Sequence, residues 1–430
     1  MLLVHTQKIT TRLTYSFKHI LFRVLGCDVS FTTSLEEFVS YSGAKMSYGK
    51  QPLSTELFVQ EFGLLSQNGI EAIDILVKPW EEVPAFFSTS EKSCIPFDIF
   101  SAAFYLLSRY EEYLPHVKDE KGRYPAHESL AAEHNFLELP VIDIWAYKFK
   151  AVLATTYPKL HFSPKQMKVH TLLSVQQPFQ YNQKGLFRSA LGYLQDLTSG
   201  NFKEMGQRTQ VLLGMRKDSF DTFTWIVNIS KRSSAKLTAF FLLGEHETYE
   251  ASLNTHRKAF KELVKYVGDY TEIGLLYSGS SLERYETLQA EKKRIEAITN
   301  RSLISAKQAN FHVNLPENYR NLIELEIVKD YTMAYHDAPG FRAGTCTPFL
   351  FYDLDFEIKT PLMLHPVSVT STGLGHLQKQ EIEETVTQLM QRVKEVNGVF
   401  SMVFNNRDFT SAPEHTLWRK LFSETLQNNG

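Results

Sequence analysis

The chain has 430 residues, more than one ordinary core serves, and at about 150 residues per domain it points to two or three domains. Hydrophobic residues make up 43% and charged residues 22%, a globular balance that excludes a largely disordered chain. Forty-six Lys and Arg against 48 Asp and Glu leave a net charge of −2, so bulk charge supports neither a nucleic-acid nor a membrane-surface partner.

Along the chain, the first 26 residues are interrupted by His5, Lys8, Arg12 and Lys18, so neither a signal peptide nor a transmembrane segment is expected. Ser34 and Glu37 have capping-box spacing ahead of Phe38 and Val39, and start a helix. Leu57–Val59 and Ile73–Val77 are expected strands. Pro96–Leu114 is expected to be one helix, with Ile99, Ala102, Ala103, Leu106, Leu107 and Tyr110 on its buried face and Pro115 stopping it. Arg109, Glu112 and Tyr113 then share a polar face, with Asp98 on the same side, which either lines a cleft between the domains or, as the favoured reading, is a solvated face or an interdomain salt-bridge cluster. A second helix opens at Val141.

Proline and polar residues around Tyr157-Pro158 and Ser163-Pro164 mark a boundary between residues 1–160 and 161–430. Beyond it, Val169–Val175, Leu237–Leu243, Glu272–Tyr277 and Val399–Asn405 are expected buried strands. Helices over Glu283–Thr299 and Gln380–Val396 alternate with them, which argues for parallel βα units. Cys27, Cys94 and Cys346 form no CxxC pair, so reduced, cytoplasmic residence is expected and no thiolate metal site. The 31 Phe, 20 Tyr and 4 Trp are expected mainly to fill cores.

No GxGxxG, GxxxxGK[ST], HExxH or GxSxG stands in the sequence, which removes the usual signatures of dinucleotide, P-loop, zincin and α/β-hydrolase chemistry. The most informative segment is Tyr335–Phe349, YHDAPGFRAGTCTPF, a loop held in one shape by two glycines and two prolines. Its Arg342 can grip a carboxylate with two hydrogen bonds or a sugar oxygen with one, or tie down backbone carbonyls.

The GFRAGT-x-x-PFxFYD run (340–353), Lys50–Leu53, PFDIF…SRYEEYLPH…GRYPA (96–126), Pro140–Tyr147, Lys217-Asp218 with Phe220–Phe223, and LPENYRNLIELEI (315–327) together resemble a bacterial branch of the polysaccharide deacetylases, relatives of carbohydrate esterase family four. The resemblance covers nearly the whole chain. It implies an α/β protein with an N-terminal accessory domain and a C-terminal (β/α) barrel, an incomplete seven-stranded one. It also implies a divalent metal such as zinc, held by an aspartate and histidines, with a second aspartate as base. The motif positions here carry Ser174 and Gln176 for the aspartates, Leu276 for a histidine, Ala309 in a further histidine stretch, and Asn405-Asn406 for His-Asn. Serine, amides and leucine cannot replace those ligands. The expectation is therefore no bound metal and a degenerate homologue that binds or scaffolds a polysaccharide or oligosaccharide. Arg342, Thr345, Pro348, Phe349 and Tyr181 are the residues expected to touch it. Two rivals stand beside this reading. One is an active deacetylase using relocated groups Arg342, His336 and Asp337, with His312, His365 and His376 as weaker candidates. The other is a protein-interaction module.

Overall fold

In the computed structural model, residues 1–233, 235–244 and 255–427 are described. The chain opens with four short parallel strands, β1 (Leu2–Thr6), β2 (Val29–Thr32), β3 (Lys45–Gly49) and β4 (Leu57–Gln60), in the order β2-β1-β3-β4. Between them run α1 (Thr11–Phe17) and α2 (Leu35–Ser40); Ser34 Oγ accepts from Glu37 N at 3.2 Å, and so caps α2. Ile73–Val77 is not a strand. A small hairpin, β5 (Lys78–Trp80) with β6 (Val83–Ala85), follows it instead.

The expected helix over Pro96–Leu114 is interrupted. It forms α3 (Ile99–Leu107), then Arg109 takes a left-handed conformation at φ 54°, and Tyr110–Tyr113 make a separate 3₁₀ turn. The apolar spacing continues through the break, so periodicity cannot show it; what breaks the helix is the turn of Arg109 toward its ion partners. Asp98 does not share the polar face of Arg109. It caps α3 at the opposite end, bonding Phe100 N and Ser101 N at 3.1 Å, and takes the Tyr48 hydroxyl at 2.8 Å. The short α4 (Leu130–Glu133) and the long α5 (Val141–Thr156) complete this part.

Nine further strands form one sheet: β7 (Lys168–Val175), β8 (Lys236–Leu242), β9 (Glu272–Tyr277), β10 (Ser305–Gln308), β11 (Lys329–Asp330), β12 (Phe349–Asp353), β13 (Ile358–Leu364), β14 (Val369–Thr370) and β15 (Val399–Asn405). Their order is β12-β13-β11-β10-β9-β8-β7-β15-β14, and every neighbouring pair is parallel except the β12–β13 hairpin. The mixed α/β class with parallel strands agrees with the expectation; the strand order alone does not make a barrel. Two helices after β7, α6 (Leu186–Thr198) and α7 (Phe202–Leu212), form a hairpin.

Both faces of the long sheet are apolar, the pattern of parallel strands covered on two sides. Leu173, Val175, Ala239, Phe241 and Leu275 point into the main core, while their alternate neighbours Leu172, Phe240, Leu242 and Leu276 form a second, separate cluster. Gly274 has no room for a Cβ because Phe240 lies across it.

The β12–β13 hairpin packs on the first part of the chain. Tyr15 donates to Leu350 O at 2.7 Å, and Phe104 meets the Tyr352 ring edge-on at 5.1 Å. Arg12, buried in α1, pairs with Glu357 and donates to Leu64 O at 3.2 Å and Gly69 O at 2.6 Å. Replacing it takes the counter-charge from Glu357, which keeps only Gly69 N and the Tyr352 hydroxyl, and removes the donor from two carbonyls. We expect Arg12→Leu to lower stability by about 2–4 kcal/mol, read as a shift in the urea unfolding midpoint; an unchanged midpoint would refute the role.

Candidate functional site

The carboxyl ends of the parallel strands gather the motif positions. Ser174 lies in register with Asn405 on one side and Phe240 on the other, Leu242 with Leu276, and Leu276 with Lys307. Gln176 Nε2 reaches Ala309 O at 3.3 Å and so joins the end of β7 to that of β10. Asn405 caps the turn that follows it, its Oδ1 taking Arg407 N at 3.1 Å. Leu276 is wholly buried, and the buried Ser174 hydroxyl has no hydrogen-bond partner. Behind this rim stands the second apolar cluster, in which Phe311, Tyr331, Ala334, Val367 and Val403 join the four strand residues.

One charge is sunk among them. Lys307 is buried, its Nζ lying 3.8 Å from the Phe311 ring centre and donating to Gln308 O at 3.0 Å. Burial pulls its pKa down to about 7, with Asp330 acting in the opposite direction.

The donors at the rim do not fit a divalent ion. A hydroxyl, two amides and an aliphatic chain supply no carboxylate or imidazole, the groups such a site needs within about 2.0–2.2 Å. Among the described residues no group of three or more His, Cys, Asp or Glu converges to hold one. The sheet's interior imidazoles lie elsewhere. His170 sits near the start of β7, bonded to Thr238 Oγ1 at 3.0 Å, and His365 stacks on Tyr331 at 4.5 Å. Burial drives their pKa values down to about 4 and about 3.

The arginine loop is shaped by its glycines. Gly340 (φ 129°) has Leu137 O where a Cβ would stand, and Gly344 (φ 65°) has Leu106 there. Arg342 is buried and grips Glu112 with two bonds, Nε to Oε1 at 2.8 Å and Nη2 to Oε2 at 2.7 Å. Its Nη1 donates to Ala334 O at 3.0 Å and Phe311 O at 3.4 Å. Arg109 joins the same carboxylate at 2.7 Å, donates to Arg342 O, and pairs with Glu111 at 2.7 Å. Burial opposes ionisation of Glu112, but the two guanidiniums prevail and hold its pKa near 2.

The other expected contacts are dispersed. Thr345 donates to Asp143 Oδ2 at 2.6 Å, and Phe349 is buried edge-on to His19 at 6.2 Å. Pro348 is half-buried. Tyr181 is buried under α7, bonded to Glu204 and 4.9 Å from Arg208. His336 is half-buried and its pKa falls through burial and the nearby Arg123; Asp337 is exposed. Arg342 thus turns to Glu112 rather than to either of them. Of the weaker candidates, His312 bonds Asn314 at 3.1 Å.

Beside the buried pairs opens a cleft of about 600 Å³, lined by Glu112, His116, Tyr124, Tyr285, Asn314 and Asn321 among others. The sequence offered the Arg109–Tyr113 face as one possible lining of a cleft, and Glu112 does line this one; the opposite wall comes from the LPENYRN run at 315–321, which was not assigned to it.

Residues 2–158 match a protein family described as a family of unknown function, DUF7033. No curated protein matches the chain. Among solved structures, the chain is similar to a protein assigned as a polysaccharide deacetylase from Mycobacterium smegmatis, at 13% identity and a TM-score of 0.40, over 62% of this chain and 86% of that one. It is also similar to a CE4-family pseudoenzyme from Bacillus anthracis, at 13% identity and a TM-score of 0.30, over 62% and 64% of the two chains. A mutant of that pseudoenzyme with restored activity aligns at 12% identity and a TM-score of 0.32, over 62% and 66%. At such values nothing about chemistry transfers.

Two outcomes are expected from the buried charges. Glu112 has a folded pKa below its unfolded value, so its stabilisation is present above about pH 4.5 and is lost as pH falls toward 2. Glu112→Gln should cost about 3–5 kcal/mol at neutral pH and flatten that acid-side loss, measured by denaturant unfolding across pH. Lys307 has the opposite dependence: the unfolded chain binds its proton more tightly, so stability rises from about pH 7 toward 10.5. Lys307→Met should raise the unfolding midpoint at pH 6 and remove that rise; a lower midpoint would contradict it.

Proposed function

We propose that the chain is a polysaccharide-deacetylase-like protein whose strand ends no longer carry metal chemistry, and that it binds carbohydrate beside them. One observation carries this reading: the rim where ligands would converge presents Ser174, Gln176, Leu276 and Asn405 over an apolar plug. The proposal includes a barrel formed by residues 161–430. Three features support closure. β15 pairs with β7. Gln176 reaches Ala309 across the rim. The segment between β13 and β14 bonds to both sides, His365 N to Asp330 O at 2.8 Å, Val367 N to Met333 O at 3.0 Å, and Ser368 N to Ser401 O at 2.9 Å. Residues 1–160 would be the accessory domain; their separate parallel sheet and the family match over 2–158 support that division.

The cleft is the binding place we favour. Amides of Asn314 and Asn321 offer acceptors and donors to sugar hydroxyls, and the part-exposed Tyr285 offers a ring face. Arg342 spends its N–H groups on Glu112 and two carbonyls, so a hydrolytic role with His336 and Asp337 draws no support from the geometry.

Purified protein equilibrated with zinc and then dialysed should carry far less than one ion per chain and release no acetate from acetylated oligosaccharides. Stoichiometric metal, with acetate release that a chelator abolishes, would overturn the proposal. In affinity electrophoresis against polysaccharides, Tyr285→Ala with Asn321→Ala should weaken retention about tenfold, a loss of about 1.4 kcal/mol. Equal retention would place binding elsewhere.

A further inference from the structure

Among the described residues, none covers the apolar side of the α6–α7 hairpin. At 100° per residue, Leu186, Phe187, Leu194 and Leu197 fall within an arc of about 100° on α6, and Leu186 is 94% exposed and Phe187 70%. Phe202 on α7, then Leu212, Leu213 and Met215 at its end, extend the surface, with Met215 77% exposed. The inward side of α7 buries Val211 and Arg208. Arg208 packs where a Gly192 Cβ would stand, bonds Asp196 at 2.9 Å and lies 4.9 Å from the Tyr181 ring, while Glu204 takes the Tyr181 hydroxyl. Asp218, just past the hairpin, is buried and holds Gln180 N and Tyr181 N at 2.8 and 2.9 Å.

Charge identifies the occupant. Residues 184–217 hold six cations and two carboxylates, in a chain whose net charge is −2. Both carboxylates point inward, whereas Lys203 and Arg216 are exposed beside the apolar stripe, as is Lys217, which lies 3.8 Å from Asp221. A second copy would set this basic rim against itself. The stripe's leucines, phenylalanines and methionine give a sugar nothing to hydrogen-bond. An apolar stripe with a basic border matches the headgroup–acyl boundary of an anionic bilayer. The helices, of 13 and 11 residues, fall short of the roughly 20 needed to cross one.

We propose that this hairpin docks the protein flat on a membrane surface rich in anionic lipid. The apolar side chains enter the interface and the cations meet the headgroups; the carbohydrate cleft plays no part. The test is co-sedimentation of the full chain with phosphatidylcholine vesicles, with and without phosphatidylglycerol. Wild type should bind the mixed vesicles and not the neutral ones, and raised salt should weaken it. Leu194→Glu with Leu197→Glu should reduce binding at least tenfold, as burying carboxylates in the interface predicts. Lys203→Glu with Arg216→Glu should reduce it by at least the roughly fivefold per cation expected near such a surface, and this exposed pair serves as the test if the first variant does not fold. The proposal is overturned if wild type ignores the mixed vesicles, binds neutral ones equally, or is unaffected by either pair. A wild-type dimer that these substitutions split, with no vesicle binding, would assign the surface to a second copy instead.

Discussion

The carboxylate of Glu112, held between the guanidiniums of Arg109 and Arg342, is the interaction on which the rest of this architecture depends. Its side chain is almost wholly withdrawn from solvent, and Arg109 also holds Glu111, so two carboxylates answer two guanidiniums largely out of water. Arg342 uses the hold to reach Phe311 O and Ala334 O, and the side chains of those two residues are part of the plug under the strand ends. The arginine of the loop is therefore a clamp. It fixes segments after β10 and β11 to the 3₁₀ turn after α3, and leaves the facing side of Glu112 to the cleft.

A parallel arrangement is repeated a few residues on. Asp143 at the start of α5 takes Thr345 Oγ1 at 2.6 Å and Cys346 N at 3.1 Å, and Ile142 N donates to Gly344 O at 2.9 Å. Two acidic residues from the first 160 thus grip one loop of the remainder. This explains why so irregular a segment keeps a single shape: its backbone bonds are supplied by another part of the chain.

Much of the fold was legible because parallel strands covered on both faces read as unbroken apolar runs; β7, β8, β9 and β15 were found that way. β10 and β11 were not, since SAKQ and KD are short and carry buried Lys307 and Asp330, charges that no hydropathy pattern assigns to a core. The helix expected over Pro96–Leu114 failed at Arg109, where a tertiary ion pair overrode local periodicity. Around the site, the loss of ligand-type side chains could be read directly from Ser174, Gln176 and Leu276. The partner of Arg342 could not, because Glu112 lies 230 residues away and only folding joins them.

The pairing of β15 with β7 ties residues 399–405 to residues 168–175. During synthesis, the edge of β7 that will take β15 must wait until most of the polypeptide has left the ribosome. Such a long wait makes for a slow, non-local closing step, and it leaves an unprotected apolar strand edge open to wrong partners in the meantime. Early release of a truncated chain would make that exposure permanent, so intact length is a condition of staying unaggregated as well as of completing the sheet.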